Sequence, residues 1–262
     1  MRVDVDAVTA LVEHVAYQVV LPRFGHLASG DVADKAPGDL VTVVDTAAEA
    51  AIVEGLTAIA PDVPVVGEEA VAADPAVLDA LGDSAAAFVV DPIDGTRAFV
   101  EGRPDYAVMV ALVVRGEPVA GWICLPSRAT TWVGERGSGV FRDGTRVAPP
   151  ARPEVPRVRV SPRRGGRPDA TALPGLDLAV EGPLWCGRFY GDVAGGTLDG
   201  LGYWGGWPWD HAPGTVLVRE LGGAVVGIDG ADYRPVGRWR GPLVVAAGPG
   251  TATLLRAAMQ GE

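Results

Sequence analysis

Lysine is almost missing from this 262-residue chain and asparagine is missing altogether: Lys35 is the sole lysine among 22 basic residues. This fits a coding bias toward GC-rich codons and points to no mechanism. Positive charge is short overall, with 33 acidic residues against 22 basic ones and a net charge of -11. An anionic nucleic-acid backbone or membrane surface would be repelled, so neither is expected as a partner. Cysteine is scarce as well. Cys124 and Cys186 lie far apart without CxxC spacing, which excludes a zinc or dithiol redox motif and leaves two buried reduced thiols, as in a cytosolic protein. Only His14, His26 and His211 are available as imidazoles, and no G-x-S-x-G turn is present, which argues against a Ser/His/Asp hydrolase. There is no Walker A sequence, and the GSG at 137–139 is too short to read as a nucleotide loop. The first residues lack the basic and apolar regions of a secretion signal, and no apolar run approaches the roughly 20 residues of a membrane span. A soluble, cytoplasmic protein is the expectation.

With 48% hydrophobic and 21% charged residues, the chain can form one large domain or two closely packed subdomains. Val8, Leu11, Val12, Val15 and Val19 share one helical face, predicting an opening helix that Pro22 ends. Thr46 and Glu49 have the spacing of a capping box, predicting a helix that starts there and stops before Pro61, with Asp45 just ahead of it. Asp74-Pro75 predicts a third, short helix. The apolar run Ala87 to Val90 reads as a buried strand that delivers Asp91 and Asp94-Gly95 into a loop. Tyr106 to Val114 and Val119 to Leu125 read as a hairpin, extended by Thr130 to Val133 and Gly139 to Phe141. Prolines, arginines and glycines from Pro149 to Pro168 mark a connection that contains a strand at Val158 to Val160, so we divide the chain into residues 1–150 and 151–262. Helices are expected near Gly191 to Leu198, over Asp210 to Leu221 and after Thr251. The irregular alternation of helix and strand predicts an α+β fold of stacked layers rather than a TIM barrel or simple Rossmann sheet.

Carboxylates concentrate at four places beside turns or element ends: GDLVTVVD (38–45), the GEE containing Glu68 and Glu69, DPIDGT (91–96) and WDHAPG (209–214). Singly, each is a common turn or cap. Together they suit magnesium, which takes hard oxygen ligands from a few carboxylates and from a substrate phosphate. In DPIDGT, Pro92 stiffens the turn, the Ile93 carbonyl can face a metal, and Asp91 and Asp94 can share ions. Gly95 lets a phosphate approach the backbone, and the N–H groups of Gly95 and Thr96 would bind it if they start a helix. Without ions these acids would repel one another and raise some of their pKa values.

The order DLVTVVD, GEE, DPIDGT and WDHAPG resembles the inositol monophosphatase family, lithium-sensitive and magnesium-dependent phosphatases, over roughly residues 30–225. The resemblance implies a layered αβαβα sandwich of the inositol monophosphatase and fructose-1,6-bisphosphatase type, a homodimer, and a small phosphorylated metabolite as substrate. It also implies that Glu68, Asp91, the Ile93 carbonyl, Asp94 and Asp210 hold roughly two or three magnesium ions, while Asp45 and Thr96 act on the nucleophilic water. Thr42 and Lys35 fall in the matching N-terminal segment and read equally as a turn hydroxyl and a surface amine. Members acting on inositol phosphate commonly carry a glutamate about seven residues before the WD aspartate, where this chain has Tyr203 or, allowing for a shift, Gly202. Trp185, Arg188, Tyr203, Trp204 and Trp207 are expected to wall the pocket, with Arg188 holding a second anion or else pairing with Asp192. Histidinol phosphate and a sugar or cyclitol phosphate rank ahead of a nucleotide 3′-phosphate as substrate. A haloacid-dehalogenase-type phosphatase needs two aspartates one residue apart, whereas Asp91 and Asp94 are separated by two. A phosphatase-like regulator without turnover is opposed by the intact acid set.

Overall fold

The computed structural model describes residues 3–28, 30–36, 39–161, 175–179 and 184–260. Helix α1 (Val5–Val15) starts where the Asp4 side chain accepts the N–H groups of Asp6 and Ala7, and it buries Val8, Val12 and Val15. It widens into a π-turn (Ala16–Val20) and closes in a short 3₁₀ turn that contains Pro22. An antiparallel pair, β1 (Val32–Ala36) and β2 (Asp39–Thr42), leads into α2 (Val43–Ile59). Here the expected capping box is corrected. The cap is Thr42, and Asp45 returns the bond as the third helical residue, so α2 starts four residues earlier than expected and Asp45 lies inside its first turn.

A seven-stranded sheet follows, in the order β3 (Val65–Gly67), β4 (Ala86–Asp94), β5 (Ala107–Val114), β6 (Glu117–Leu125), β7 (Thr130–Glu135), β8 (Gly139–Arg142) and β9 (Thr145–Arg146). All neighbours are antiparallel except β3 and β4. Short helices α3 (Glu68–Ala73) and α4 (Ala80–Asp83) link that parallel pair, with a 3₁₀ turn begun by Asp74 and Pro75 between them; α5 (Thr96–Val100) follows β4. The second sheet has five strands, β11 (Asp177–Leu178), β10 (Arg157–Val160), β12 (Gly200–Gly206), β14 (Trp239–Ala246) and β13 (Ala224–Gly227), in that spatial order. Helices α6 (Cys186–Ala194) and α7 (Pro208–Glu220) precede and follow β12, and α8 (Pro249–Gln260) closes the described chain. Residues 162–168 of the expected connection lie outside the described residues.

Side-chain alternation along β5 shows the layering. Val108 and Val110 pack with Val12, Ile52 and Leu56 of α1 and α2, whereas Ala107 and Met109, pointing to the opposite face, pack with Phe189 and Tyr190 of α6. On their other side α6 and α7 meet Leu201, Val225 and Val245 of the second sheet, whose far face is covered by Ala252, Leu255 and Met259 of α8. The order is helix, sheet, helix, sheet, helix, which is the expected αβαβα sandwich. Close approach of the two middle helices explains a residue of the WDHAPG motif: a Cβ at Gly214 would lie 2.0 Å from the Tyr190 ring. Glycine costs about 1 kcal/mol against alanine inside a helix, a smaller penalty than that clash. No helix among the described residues is long and apolar enough to cross a membrane.

Candidate active site

The site is built at the carboxyl end of β4. All nine residues of this strand are buried; the first five are apolar, and its pairing with β5 breaks register between Asp91 and Asp94. That irregularity turns both aspartates toward a cleft of about 310 Å³ that is also lined by Glu68, Asp210, Ile93 and Thr96. Gly95 makes the turn into α5 with φ of +82°, and a Cβ there would meet the Asp105 carbonyl at 2.7 Å. Only glycine fits this position.

Each carboxylate is oriented by a neighbour remote in sequence or by its own helix. Asp94 accepts the first N–H groups of α6, from Cys186 at 3.2 Å and Gly187 at 2.8 Å. This distant cap makes α6 begin at Cys186 instead of the expected Gly191, because no local residue signals the start. Asp210 reaches back to the N–H of Trp207 at 2.6 Å in the first turn of α7. Buried Glu49 accepts from the N–H groups of Glu69 and Ala70 at 2.8 Å each, capping α3, whose first residue Glu68 lines the cleft. Lys35 donates to Glu68 at 2.8 Å and to Glu69 at 2.5 Å, so it is a partly buried partner of the site rather than a surface amine. Burial opposes its charge, and the two glutamates outweigh burial to hold its pKa up.

Asp45 is buried behind Thr96. Its Oδ2 accepts from the Thr42 N–H at 2.8 Å and the Thr42 hydroxyl at 2.6 Å, while its Oδ1 lies 3.1 Å from the Thr96 hydroxyl. Thr96 Oγ1 is also 3.0 Å from the Ile93 carbonyl, and its one proton serves one of the two acceptors at a time.

The electrostatics are unfavourable as they stand. Burial, then Glu68, Asp94, Asp210 and Asp45, push Asp91 well above the usual carboxylate range. Burial pushes Asp94 up to about 6 against the two helix N–H groups, and raises Asp210 to about 8 with help from Glu68 and Asp94. Asp91 Oδ1 is buried and has no hydrogen-bond partner. Among the described residues, no three carboxylate, imidazole or thiolate groups are already drawn around one ion position. The carboxylates nevertheless share one cleft, and an orphaned acceptor among hard oxygen donors is what a divalent cation would satisfy. The residues fit such an ion.

Not every expected pocket residue arrives. Trp185 and Tyr203 line the cleft, but Arg188 does not: it faces a neighbouring cavity and pairs with Asp105 at 2.7 Å and Asp192 at 3.6 Å. Arg188 and Arg128 outweigh the burial of Asp105 and hold its carboxyl below the usual range. Trp204 donates to the Ser161 carbonyl, and Trp207 stacks on Trp209 at 5.1 Å, so neither forms the wall. Leu40, Arg97, Leu184 and Cys186 line the cleft without having been singled out for it from the sequence. His211 is fully buried beside them, 3.2 Å from the Tyr190 hydroxyl and 3.4 Å from the Gly205 carbonyl, and burial holds its pKa down at about 4, so it is neutral at pH 7.

The profile of the inositol monophosphatase family matches residues 2–260. The chain belongs to this family. Among relatives of the inositol monophosphatase family, the probable inositol 1-monophosphatase ImpA of Mycobacterium tuberculosis is 33% identical over 228 residues, covering 82% of this chain and 80% of the relative. The Nus factor SuhB of Xylella fastidiosa is 31% identical, covering 83% and 79%. In three dimensions the extragenic suppressor protein SuhB of Bartonella henselae superposes with a TM-score of 0.79 at 25% identity over 97% of each chain. The Thermotoga maritima IMPase superposes at 0.78 with 22% identity over 98% of each, which supports the fold. As a member of the inositol monophosphatase family, the chain is a phosphoric monoester hydrolase.

Proposed function

We propose that the cleft hydrolyses a small phosphorylated metabolite, histidinol phosphate or a sugar or cyclitol phosphate, by direct attack of water on phosphorus. One observation carries this reading: Asp91 Oδ1 is buried without a partner in a cleft that also collects Glu68, Asp94 and Asp210. In this proposal Glu68, Asp91, Asp94, Asp210 and the Ile93 carbonyl would hold roughly two or three magnesium ions. Such ions, when bound, supply Lewis acidity that makes water more acidic and offsets charge on the phosphate and the leaving oxygen.

The remaining steps belong to the chain. Thr42 fixes Asp45 through two hydrogen bonds and leaves Oδ1 facing Thr96. A Thr96 hydroxyl that donates to Asp45 keeps its lone pairs for a water, orients it, and takes its proton while passing its own to Asp45. Burial, opposed by the bonds from Thr42 and Thr96, raises the Asp45 pKa and makes it a stronger base than an exposed aspartate. Thr96 opens α5, so the N–H groups of Gly95 and Thr96 are helix-start donors for a phosphate oxygen. The water oxygen bonds to phosphorus, the bond from phosphorus to the ester oxygen breaks, the leaving oxygen takes a proton from solvent, and no phosphoenzyme forms. Cytoplasmic action as a homodimer belongs to the same proposal and is supported by the family resemblance.

The names of the SuhB relatives favour a second reading, a regulatory protein that binds without turnover. Phosphate release with magnesium and with chelator, measured on histidinol phosphate, inositol 1-phosphate, a sugar phosphate and a nucleoside 3′-phosphate, separates the two. Magnesium-dependent release is expected; tight binding without release from any ester would favour the regulator.

A further inference from the structure

We infer that Glu49 is a positioning residue for the ion site: from helix α2 it holds the start of α3 and so fixes the carboxylate of Glu68, without touching ion or substrate itself. The inference deepens the metal-dependent reading of the cleft and rests on it. Glu49 is 6% exposed and does not line the cleft. Its two oxygens are divided between two donors: Oε2 accepts from the Glu69 N–H and Oε1 from the Ala70 N–H, at 2.8 Å each. These donors are the second and third residues of α3, whose first residue is Glu68. N–H groups at a helix start have no partner within their own helix. The residue ahead of α3 is Gly67, which supplies no side-chain cap, and a Cβ there would fall on the Glu49 carboxylate. The space left by the missing side chain is filled by the remote acid.

Capping alone does not call for this arrangement. A serine, threonine, aspartate or asparagine at position 67 would cap α3 locally. A carboxylate sent from α2 is the more costly solution, because burial raises the Glu49 pKa even against the two N–H groups. What it adds is a fixed placement of one helix against another. Asp45 stands one turn earlier on the same buried face of α2, where it meets the Thr96 hydroxyl. One helix thus holds the water-orienting pair through Asp45 and the ion ligand Glu68 through Glu49. The sheet adds a second tie, since Gly67 pairs with Val90, directly before Asp91. The backbone at Glu68 is therefore held from α2 and from β4, while Lys35 donates to its carboxylate. Without the bonds to Glu49, the first turn of α3 is free to shift against Asp91 and Asp94. Magnesium demands near-ideal octahedral geometry, so displacing one ligand relative to the others costs affinity.

The test is a double-mutant cycle read by calorimetry of magnesium binding, with the magnesium concentration for half-maximal phosphate release as a second readout. Glu49→Gln keeps the shape of the side chain, exchanges one acceptor for a donor, and is expected to raise the magnesium dissociation constant by about tenfold or more. Maximal release at saturating magnesium should fall by much less. In a Glu68→Gln background the same change is expected to add no more than about twofold, because the ligand it positions is gone. A residue that only supports the fold would weaken binding equally in both backgrounds. Unchanged binding in Glu49→Gln, or a loss that persists in full beside Glu68→Gln, overturns the inference. Should Glu49→Gln not fold, Gly67→Ala drives the carboxylate off the N–H groups from the other side and takes its place in the cycle. If the wild-type chain binds magnesium but releases phosphate from no ester, the phosphatase reading fails and the cycle still decides the inference. If it binds no magnesium, both are overturned.

Discussion

The two halves of β4 are equally buried and do opposite work. From Ala86 to Val90 the strand is apolar, with Phe88 and Val90 closed in by α1 and α2. Burial of each such side chain stabilises the fold by about 1.5–3 kcal/mol. Within the next four residues the same strand carries two buried carboxylates, one with an oxygen that nothing satisfies. A sheet fixed by its first half thus holds the second half in an arrangement it would not adopt alone. The lesson is a division of labour along one strand: stability from one end, function at the cost of stability at the other.

Substitutions at the two ends should therefore separate activity from stability. Asp91→Asn is expected to lower kcat/KM by about 10⁴-fold, roughly 5 kcal/mol, by removing a ligand shared between ions. The melting temperature of the metal-free variant near neutral pH should rise, because a carboxyl that burial, Glu68, Asp94 and Asp210 force to take up a proton on folding is gone. Near-normal turnover, or a lower metal-free melting temperature, would erase the contrast. Phe88→Ala should show the reverse, a loss of about 3–5 kcal/mol in denaturant unfolding with turnover per folded molecule preserved. Thr96→Val keeps the shape and removes the hydroxyl between Asp45 and water, so kcat should fall by about 10²-fold with little change in melting temperature.

The smallest effect is a pH dependence of the metal-free fold. Asp94 and Asp210 sit at about 6 and about 8, above the ordinary aspartate value of 3.8, so the folded chain holds protons that the unfolded chain releases. Their contribution to stability is complete below that ordinary value and is lost as pH rises through about 6 and about 8. His211 has the opposite sense: held down at about 4 from 6.5, it costs stability as pH falls across that interval. Between about pH 6.5 and 8.5 the carboxylates dominate, so the chelated protein should melt at progressively lower temperature. Asp210→Asn should flatten that slope, and magnesium should offset it by binding the folded state. A slope of the opposite sign in chelated protein would contradict the assigned burden of charge.

Local sequence motifs reveal the acids and not the bonds that hold them. Asp91, Asp94, Glu68 and Asp210 stand in short motifs with turn or helix-start chemistry, and the αβαβα layering followed from the family those motifs resemble. The starts of α2 and α6 were misplaced for different reasons. At α2 two overlapping capping boxes compete, Thr42 with Asp45 and Thr46 with Glu49, and tertiary structure chooses the first because Glu49 is taken by the N–H groups of α3. At α6 the cap is Asp94, 92 positions from Cys186, beyond the reach of local pattern. Arg188 misled for a similar reason. Its nearer partner is Asp105 across the fold rather than Asp192 one turn along its own helix. Lys35 likewise meets Glu68 and Glu69 only once the chain has folded.

The most direct measurement is anomalous diffraction at the manganese edge from crystals soaked in manganese and inorganic phosphate. Ions should lie at about 2.1 Å from oxygens of Glu68, Asp91, Asp94 and Asp210, with phosphate bridging them toward Gly95 and Thr96. Ions bound elsewhere, with Asp91 Oδ1 still unpartnered, would contradict the assignment of this cleft as the seat of hydrolysis.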